Sequence, residues 1–192
     1  MSRVRVTVLA LAGLLATTTV ALCVALLISQ APSRRGEAPI RLAVAENTAA
    51  NRALGLTPPD FAAARSATWR ALRQSPYDPS AWLRLAYIDA AEDGRLDEEG
   101  AAAFTRSYEL LPFDQYVAVW RVGFALENWQ SLTPETRARV RAEALAFART
   151  SRYREMRTTL MGVTNPVGRL PGVLWTQRMR EERAARLNLG AK

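Results

Sequence analysis

The chain has 192 residues, a hydrophobic fraction of 49% and a formal net charge of +8, which suits one small domain with flanking segments. It contains no histidine and one cysteine, Cys23. A disulfide framework within the chain, a cysteine-ligated zinc site and the serine–histidine and cysteine–histidine catalytic pairs are therefore excluded.

Met1-Ser-Arg-Val-Arg5 precedes an uncharged run from Val6 to Ile28. At about 1.5 Å per residue, such a run crosses a ~30 Å bilayer core as a helix. Cleavage as a signal peptide after Ala31 is the alternative, but Pro32 would block it. Lipid attachment at Cys23 would want a smaller residue than Leu22 before it. The expectation is an uncleaved transmembrane signal anchor over residues 1–29, single-pass in a bacterial inner membrane, with the rest of the chain in the periplasm. Residues 30–59 read as a linker punctuated by Pro32, Gly36, Pro39, Gly55, Pro58 and Pro59. A short helix from Ile40 to Leu54 inside it is marginal alone, because its apolar residues are thinly spaced.

Helical repeats are predicted over residues 60–151. Leu56-Thr57-Pro58-Pro59-Asp60 is a helix start, with Thr57 at or near the cap and a proline in the first turn. The helix that follows places Phe61, Ala64, Thr68, Ala71 and Leu72 on one side, and Pro76 stops it. Asp78-Pro79 starts the next, carrying Trp82, Leu85, Ala86 and Asp89, with Glu92-Asp93-Gly94 as its turn. Its partner runs from Leu96 to Leu111, with Phe104, Ser107, Tyr108 and Leu111 on one face. A third helix begins at Asp114 and is predicted to bury Val117, Trp120, Phe124 and Leu126. Thr133-Pro134-Glu135 supplies a cap, a first-turn proline and an acidic side chain beside the helix dipole. The helix it opens turns Val140, Ala144, Phe147 and Ala148 inward, with Arg137 and Arg141 together on the opposite side.

One stretch occurs twice at a separation of 36 residues: Ala67-Thr-Trp-Arg-Ala-Leu-Arg-Gln-Ser-Pro-Tyr-Asp78 and Ala103-Phe-Thr-Arg-Ser-Tyr-Glu-Leu-Leu-Pro-Phe-Asp114. A period of that size is the mark of stacked helical units. Trp82-x2-Leu85-Ala86-x2-Asp89, then Gly100-x3-Phe104 and Pro112, resembles the tetratricopeptide-repeat family, and Val119-x2-Val122-Gly123-x2-Leu126 offers the start of another unit. Asp89 stands where that family has tyrosine, and Ala148 where it has the closing proline. The resemblance implies helical hairpins stacked into a grooved surface that binds another polypeptide, and it implies no catalytic residues. Tyr77 and Phe113 are the expected wedges between neighbouring units.

The C-terminal segment, residues 152–192, is predicted as basic helices. A helix ends near Met161-Gly162, Asn165 to Gly172 reads as irregular, and Val173 opens the last helix, with Arg178, Glu182 and Arg186 at i,i+4 spacing. That helix either caps the repeats or lies on an anionic membrane surface, and capping is preferred. Residues 61–115 hold six arginines against nine acidic residues, and residues 116–192 hold fourteen basic against six acidic. A basic third of this kind is able to meet an acidic polymer, anionic lipid or nucleic acid, nucleic acid being the least favoured.

The whole therefore reads as an all-α protein: a transmembrane helix followed by a short array of tetratricopeptide-like hairpins. The function expected of it is a membrane-anchored scaffold whose repeats bind a partner protein of an envelope complex. The stretch Phe124–Arg137 resembles a segment of small repeat proteins of bacterial surface-polysaccharide systems, which implies that process. The alternative is that the arginine-rich C-terminal helices bind an anionic glycan or lipid headgroup directly. The candidate partner-binding residues are Tyr87, Tyr116, Trp129, Arg137, Arg141 and Arg152. No enzyme, cofactor or metal is expected. The acidic cluster Glu92, Asp93, Asp97, Glu98 and Glu99 fails as a calcium loop counted from Asp89, since its third place is Ala91 and its twelfth Gly100.

Overall fold

The computed structural model describes residues 42–189, with side chains to residue 186. Every regular element among the described residues is helical. The chain divides into two compact units between Pro76 and Tyr77.

The described part of the first unit is a helical hairpin, α1 (Ala43–Leu54) and α2 (Phe61–Gln74). The marginal helix of the linker is thus a full three-turn helix. What the sequence lacks in large apolar residues is supplied by alanine: Ala45, Ala50 and Ala53 of α1 and Ala64, Ala67 and Ala71 of α2 are buried. Small side chains let two backbones approach closely, so dispersion contacts replace bulky knobs. Glu46 is buried in α1 and accepts a hydrogen bond from Arg70 Nε at 2.9 Å. Asp60, not Thr57, caps α2, accepting from the Ala63 N–H at 2.9 Å.

The second unit contains α3 (Pro79–Asp93), α4 (Glu98–Leu110), α5 (Ala118–Glu127), α6 (Pro134–Ala146), α7 (Tyr153–Met161) and α8 (Pro166–Leu189), with 3-10 turns at Trp129–Ser131 and Phe147–Arg149. The starts follow from the capping residues. Asp78 accepts from the N–H groups of Ser80 and Ala81 with Pro79 in the first turn. Asp97 accepts from Gly100 N–H, and Thr133 from Thr136 N–H with Pro134 behind it. Each satisfies a donor that the helix itself leaves orphaned. Gly94 ends α3 at a φ of 68°, in the left-handed region where a Cβ is penalised.

Helices α3 and α4 form a hairpin. Beyond it the pairing stops: α5 packs against α6, α7 and α8, and α8 also packs against α6 and α7. The expected array is therefore corrected to a hairpin joined to a four-helix cluster. Two wedges expected between units are displaced with it. Tyr77 is 73% exposed, and Phe113 is 42% exposed with its ring centroid 5.7 Å from that of Phe147. The third helix is also rotated from its expected face. It buries Ala118, Arg121, Val122, Ala125 and Leu126, while Trp120 is 45% exposed.

Its rotation is fixed by Arg121. The guanidinium lies 3.8 Å from the centroid of the Tyr108 ring and pairs with Glu143 through Nη2 and, at 3.1 Å, through Nε. Arg121 Nη1 donates to the Leu111 carbonyl at 3.0 Å. Glu143 also accepts from Tyr108 Oη at 2.7 Å and Asp114 N–H at 3.2 Å. Arg121, Glu143 and Tyr108 are all buried, and no buried side-chain polar atom among the described residues lacks a partner.

The last helix starts seven residues earlier than expected, at Pro166, and runs through Pro171. Asn165 caps it, its Oδ1 accepting from Val167 and Gly168 N–H groups. Pro171 falls within the first two turns, where its missing N–H costs one hydrogen bond to the Val167 carbonyl. Gly168 and Gly172, four apart on one face, seat the helix. A Cβ at Gly168 would lie 1.8 Å from the Leu126 carbonyl oxygen, and one at Gly172 2.7 Å from that of Leu160. Thr176 and Met179 continue the buried face, so α8 folds onto the cluster.

Glu127 clamps the approach to α8. Its carboxylate accepts from Thr164 N–H, Thr164 Oγ1 and Asn165 N–H at 2.7–2.9 Å. Burial alone would raise this carboxyl, but the hydrogen bonds from Thr164 and Asn165 outweigh it and hold the group below its usual range. A depressed carboxyl stabilises the fold above its unfolded pKa of about 4.3 and loses that contribution as pH falls through the folded value. Glu127→Gln is therefore expected to destabilise at pH 7. The gap from the parent should close as the pH is lowered below 4, read from urea midpoints across that range; a gap independent of pH would contradict the assignment.

Among the described residues no helix is long and apolar enough to cross a membrane. The longest, α8, carries Arg169, Arg178, Arg180, Glu181, Glu182, Arg183 and Arg186, charges that a bilayer core excludes. The predicted anchor over residues 1–29, and the linker as far as residue 41, lie outside the described residues. The architecture of a transmembrane helix followed by repeats is corrected to an all-α fold without a membrane-spanning helix among the described residues. The single-pass placement in an inner membrane with a periplasmic domain loses its support in the same way.

Candidate functional site

An open apolar groove runs along the second unit between α6 and α8. Successive turns of α8 present Val167, Leu170, Pro171 and Leu174, at the i, i+3, i+4, i+7 spacing of one helix face. Leu170 is 65% exposed and Leu174 54%. This face lies opposite the glycine-seated one, so the first half of α8 is apolar on two sides, one closed and one open. Trp129, Pro134, Ala138 and Trp175 complete a hollow of about 520 Å³. Trp129 and Trp175 meet edge to face with centroids 5.5 Å apart. A second hollow of about 460 Å³ continues past Leu174 and Trp175 to Leu145, Arg178 and Glu181.

The groove has a cationic edge. Arg137 Nε and Nη2 donate to the carbonyls of Trp129 and Gln130 at 3.0 and 3.3 Å, and its guanidinium lies 5.3 Å from a Trp129 ring centroid. Arg137 is thus held rigidly while its charge stays unneutralised. Arg141, four residues on, lines both hollows and has no carboxylate partner among the described residues. Arg178 stands across from it, loosely paired to Glu181 at 3.6 Å and Glu182 at 3.7 Å.

Of the sequence-predicted residues, Trp129, Arg137 and Arg141 come together here. The other three do not. Tyr87 packs edge to face on Trp120 at 6.0 Å, part of an aromatic run through Phe124 to Phe104. Tyr116 is 82% exposed on the loop before α5. Arg152 lies beyond the C-terminal end of α6, tied to Glu155 and the Gln115 carbonyl. A single anion grip of Arg137, Arg141 and Arg152 is therefore not formed, and the reading of the arginine-rich helices as a direct glycan or lipid-headgroup site is corrected accordingly. Arg149 faces Glu182, and Arg183 lies over Tyr153 and reaches the Ala148 carbonyl. Val167, Leu170, Pro171 and Leu174 were hidden by reading Asn165–Gly172 as irregular. Their helical spacing was the available signal.

Two other features are explained by local structure. Asp89, Asp93 and Asp97 bring carboxylate oxygens within 4.8 Å of one another, the arrangement most able to meet a cation. Asp89 already accepts from Asp97 N–H at 3.0 Å and lies against Gly100, where a Cβ would meet its Oδ2 at 2.3 Å. Asp97 accepts from Gly100 N–H, a bond that holds its carboxyl below the usual range. The cluster locks the α3–α4 turn. A larger hollow of about 820 Å³ beside α4 is lined by Arg95, Asp97, Arg106, Glu109 and Thr133. Part of its polar lining is taken up internally, with Arg106 on Glu109 and Ser131 Oγ on the Leu96 carbonyl.

Fold and groove together define an all-α protein with an open apolar groove on its second unit. Comparison with known protein families, with curated proteins and with solved structures gives no match. The tetratricopeptide resemblance is corrected on both counts: no family match carries it, and within the second unit the hairpin α3–α4 is followed by a cluster rather than by another stacked hairpin.

Proposed function

We propose that the chain is a helical interaction module that holds an apolar polypeptide segment in the groove between α6 and α8. The observation that carries this reading is the second apolar face of α8. Leucines left open beside a tryptophan pair are the mark of a surface that a partner covers. A groove between two helices suits the helix-in-groove mode, in which side chains at i, i+4 and i+7 enter successive hollows. Membrane anchoring forms no part of this reading.

Selection of peptides from a random display library against the full chain tests it. Enriched peptides should protect residues 166–178 and 134–141 from hydrogen exchange. The double substitution Leu170→Asp, Leu174→Asp should weaken them at least about thirtyfold, a loss of roughly 2 kcal/mol for two buried anchors, while leaving the urea midpoint near that of the parent. Peptides that protect another surface, or none enriched, would refute the reading.

A further inference from the structure

We infer that the occupant of this groove is an amphipathic helix whose apolar ridge is flanked by carboxylates, which pair with Arg141 and Arg178. The inference rests on the interaction reading above and adds the chemistry of the partner. The two hollows are lined by three guanidiniums, Arg137, Arg141 and Arg178, against one carboxylate, Glu181. Arg137 is committed to the carbonyls of Trp129 and Gln130, so it contributes fixed positive potential. Arg141 has no carboxylate partner among the described residues, and the distances from Arg178 to Glu181 and Glu182 exceed hydrogen-bond length. Arg141 is therefore free to turn onto an incoming carboxylate, and Arg178 would exchange its long ion-pair contacts to Glu181 and Glu182 for one. Covering the leucines with an apolar segment would lower the local dielectric around the Arg141 charge. A neutral or basic occupant would leave that charge uncompensated, whereas an acidic one neutralises it.

Other occupants fit less well. An anionic polymer without apolar anchors would leave Leu170 and Leu174 wet. The chain's own uncharged run, Val6–Ile28, offers no carboxylate, since its first acidic residue is Glu37. A second copy would have to bring its acidic hairpin α3–α4 to the groove, where the outward surface offers few leucines.

Three synthetic helical peptides with the same leucine ridge and with glutamate, glutamine or lysine flanks form the test, their binding to the full chain read by fluorescence anisotropy. The glutamate peptide should bind most tightly, by roughly three- to tenfold over glutamine for two partly exposed pairs, and its advantage should shrink at high salt. In the Arg141→Glu, Arg178→Glu variant the order should invert in favour of lysine. Equal binding of all three peptides, each abolished by Leu170→Asp, Leu174→Asp, would overturn the charge inference and leave the groove reading intact. Binding by none of them, with no library peptide enriched, would remove both. Self-association of the chain in sedimentation that the leucine substitutions abolish would identify a second copy as the occupant and overturn the inference.

Discussion

Glu143→Ala is expected to lower stability by about 3–5 kcal/mol, the cost of leaving one half of a buried ion pair alone. The substitution strands three groups at once: the buried Arg121 guanidinium, the Tyr108 hydroxyl and the Asp114 N–H. Against a total stability of roughly 5–15 kcal/mol, that loss is a large fraction of what holds the protein folded. Urea unfolding followed by tryptophan fluorescence measures it. Tyr108→Phe removes one of the bonds to Glu143 and is expected to cost only about 1 kcal/mol. Arg121→Met with Glu143→Leu should recover the part of the loss owed to the unpaired guanidinium, because both charges leave the interior together, while the Tyr108 hydroxyl and the Asp114 N–H stay unpartnered. Recovery would show that the ion pair orients α5 without adding net stability; a double variant as unstable as Glu143→Ala would show the reverse. Burial pushes the Tyr108 phenol above its usual range, and the neighbouring Glu143 charge pushes it further. The stability this lends is complete below about pH 10 and is lost as pH rises beyond it. The tyrosinate absorbance of Tyr108 is therefore expected only as the fold opens.

That network also shows where sequence reasoning misled. On α5 the buried positions are Ala118, Arg121, Val122, Ala125 and Leu126, a good helical stripe interrupted by one arginine. Choosing the largest aromatics, Trp120 and Phe124, rotates the helix by most of a face. On α6 the stripe Thr136, Val140, Glu143, Ala144 is interrupted by one glutamate. Two opposite charges, each alone on an otherwise apolar face, were legible as candidates for one buried pair. Helix starts were legible because a capping side chain acts within three residues: Asp78 and Thr133 stand where expected. Helix α1 was underrated because alanine contributes little to an apolar pattern yet allows close packing. The α3–α4 hairpin was legible from its caps and its turn, whereas the tetratricopeptide spacing misplaced the helices beyond Pro112, where long-range contacts to α8 decide the packing. The groove was invisible for the same reason as the helix bearing it. Two prolines and two glycines within eight residues read as a breaker cluster, whereas Pro166 sits in the first turn and the glycines serve a close contact.

Gly168→Ala tests that last assignment with a single methyl group. In an exposed helix the change would stabilise by about 1 kcal/mol through backbone propensity. Here the new Cβ would meet the Leu126 carbonyl oxygen at 1.8 Å and its carbon at 2.6 Å. Both are backbone atoms of α5, a helix whose orientation is pinned by Arg121, so no side chain can swing aside. Helix α8 must move by more than an ångström or α5 must yield, and a net loss of about 3 kcal/mol or more is expected, at the upper end of overpacking costs. Gly172→Ala, against the Leu160 carbonyl oxygen at 2.7 Å, should cost less. Gly55→Ala, with its nearest atoms at 3.5 Å, should be close to neutral. That order, read from thermal midpoints, separates close packing from helix propensity, which would make the changes at Gly168 and Gly172 favourable. Because Leu170 and Leu174 ride on the displaced helix, Gly168→Ala should also weaken groove peptides under conditions where the variant remains folded. Gly55→Ala should bind them as the parent does. A stable Gly168→Ala chain with undiminished binding would mean that α8 is not seated on α5 through this glycine, and the open face assigned to its other side would lose its orientation.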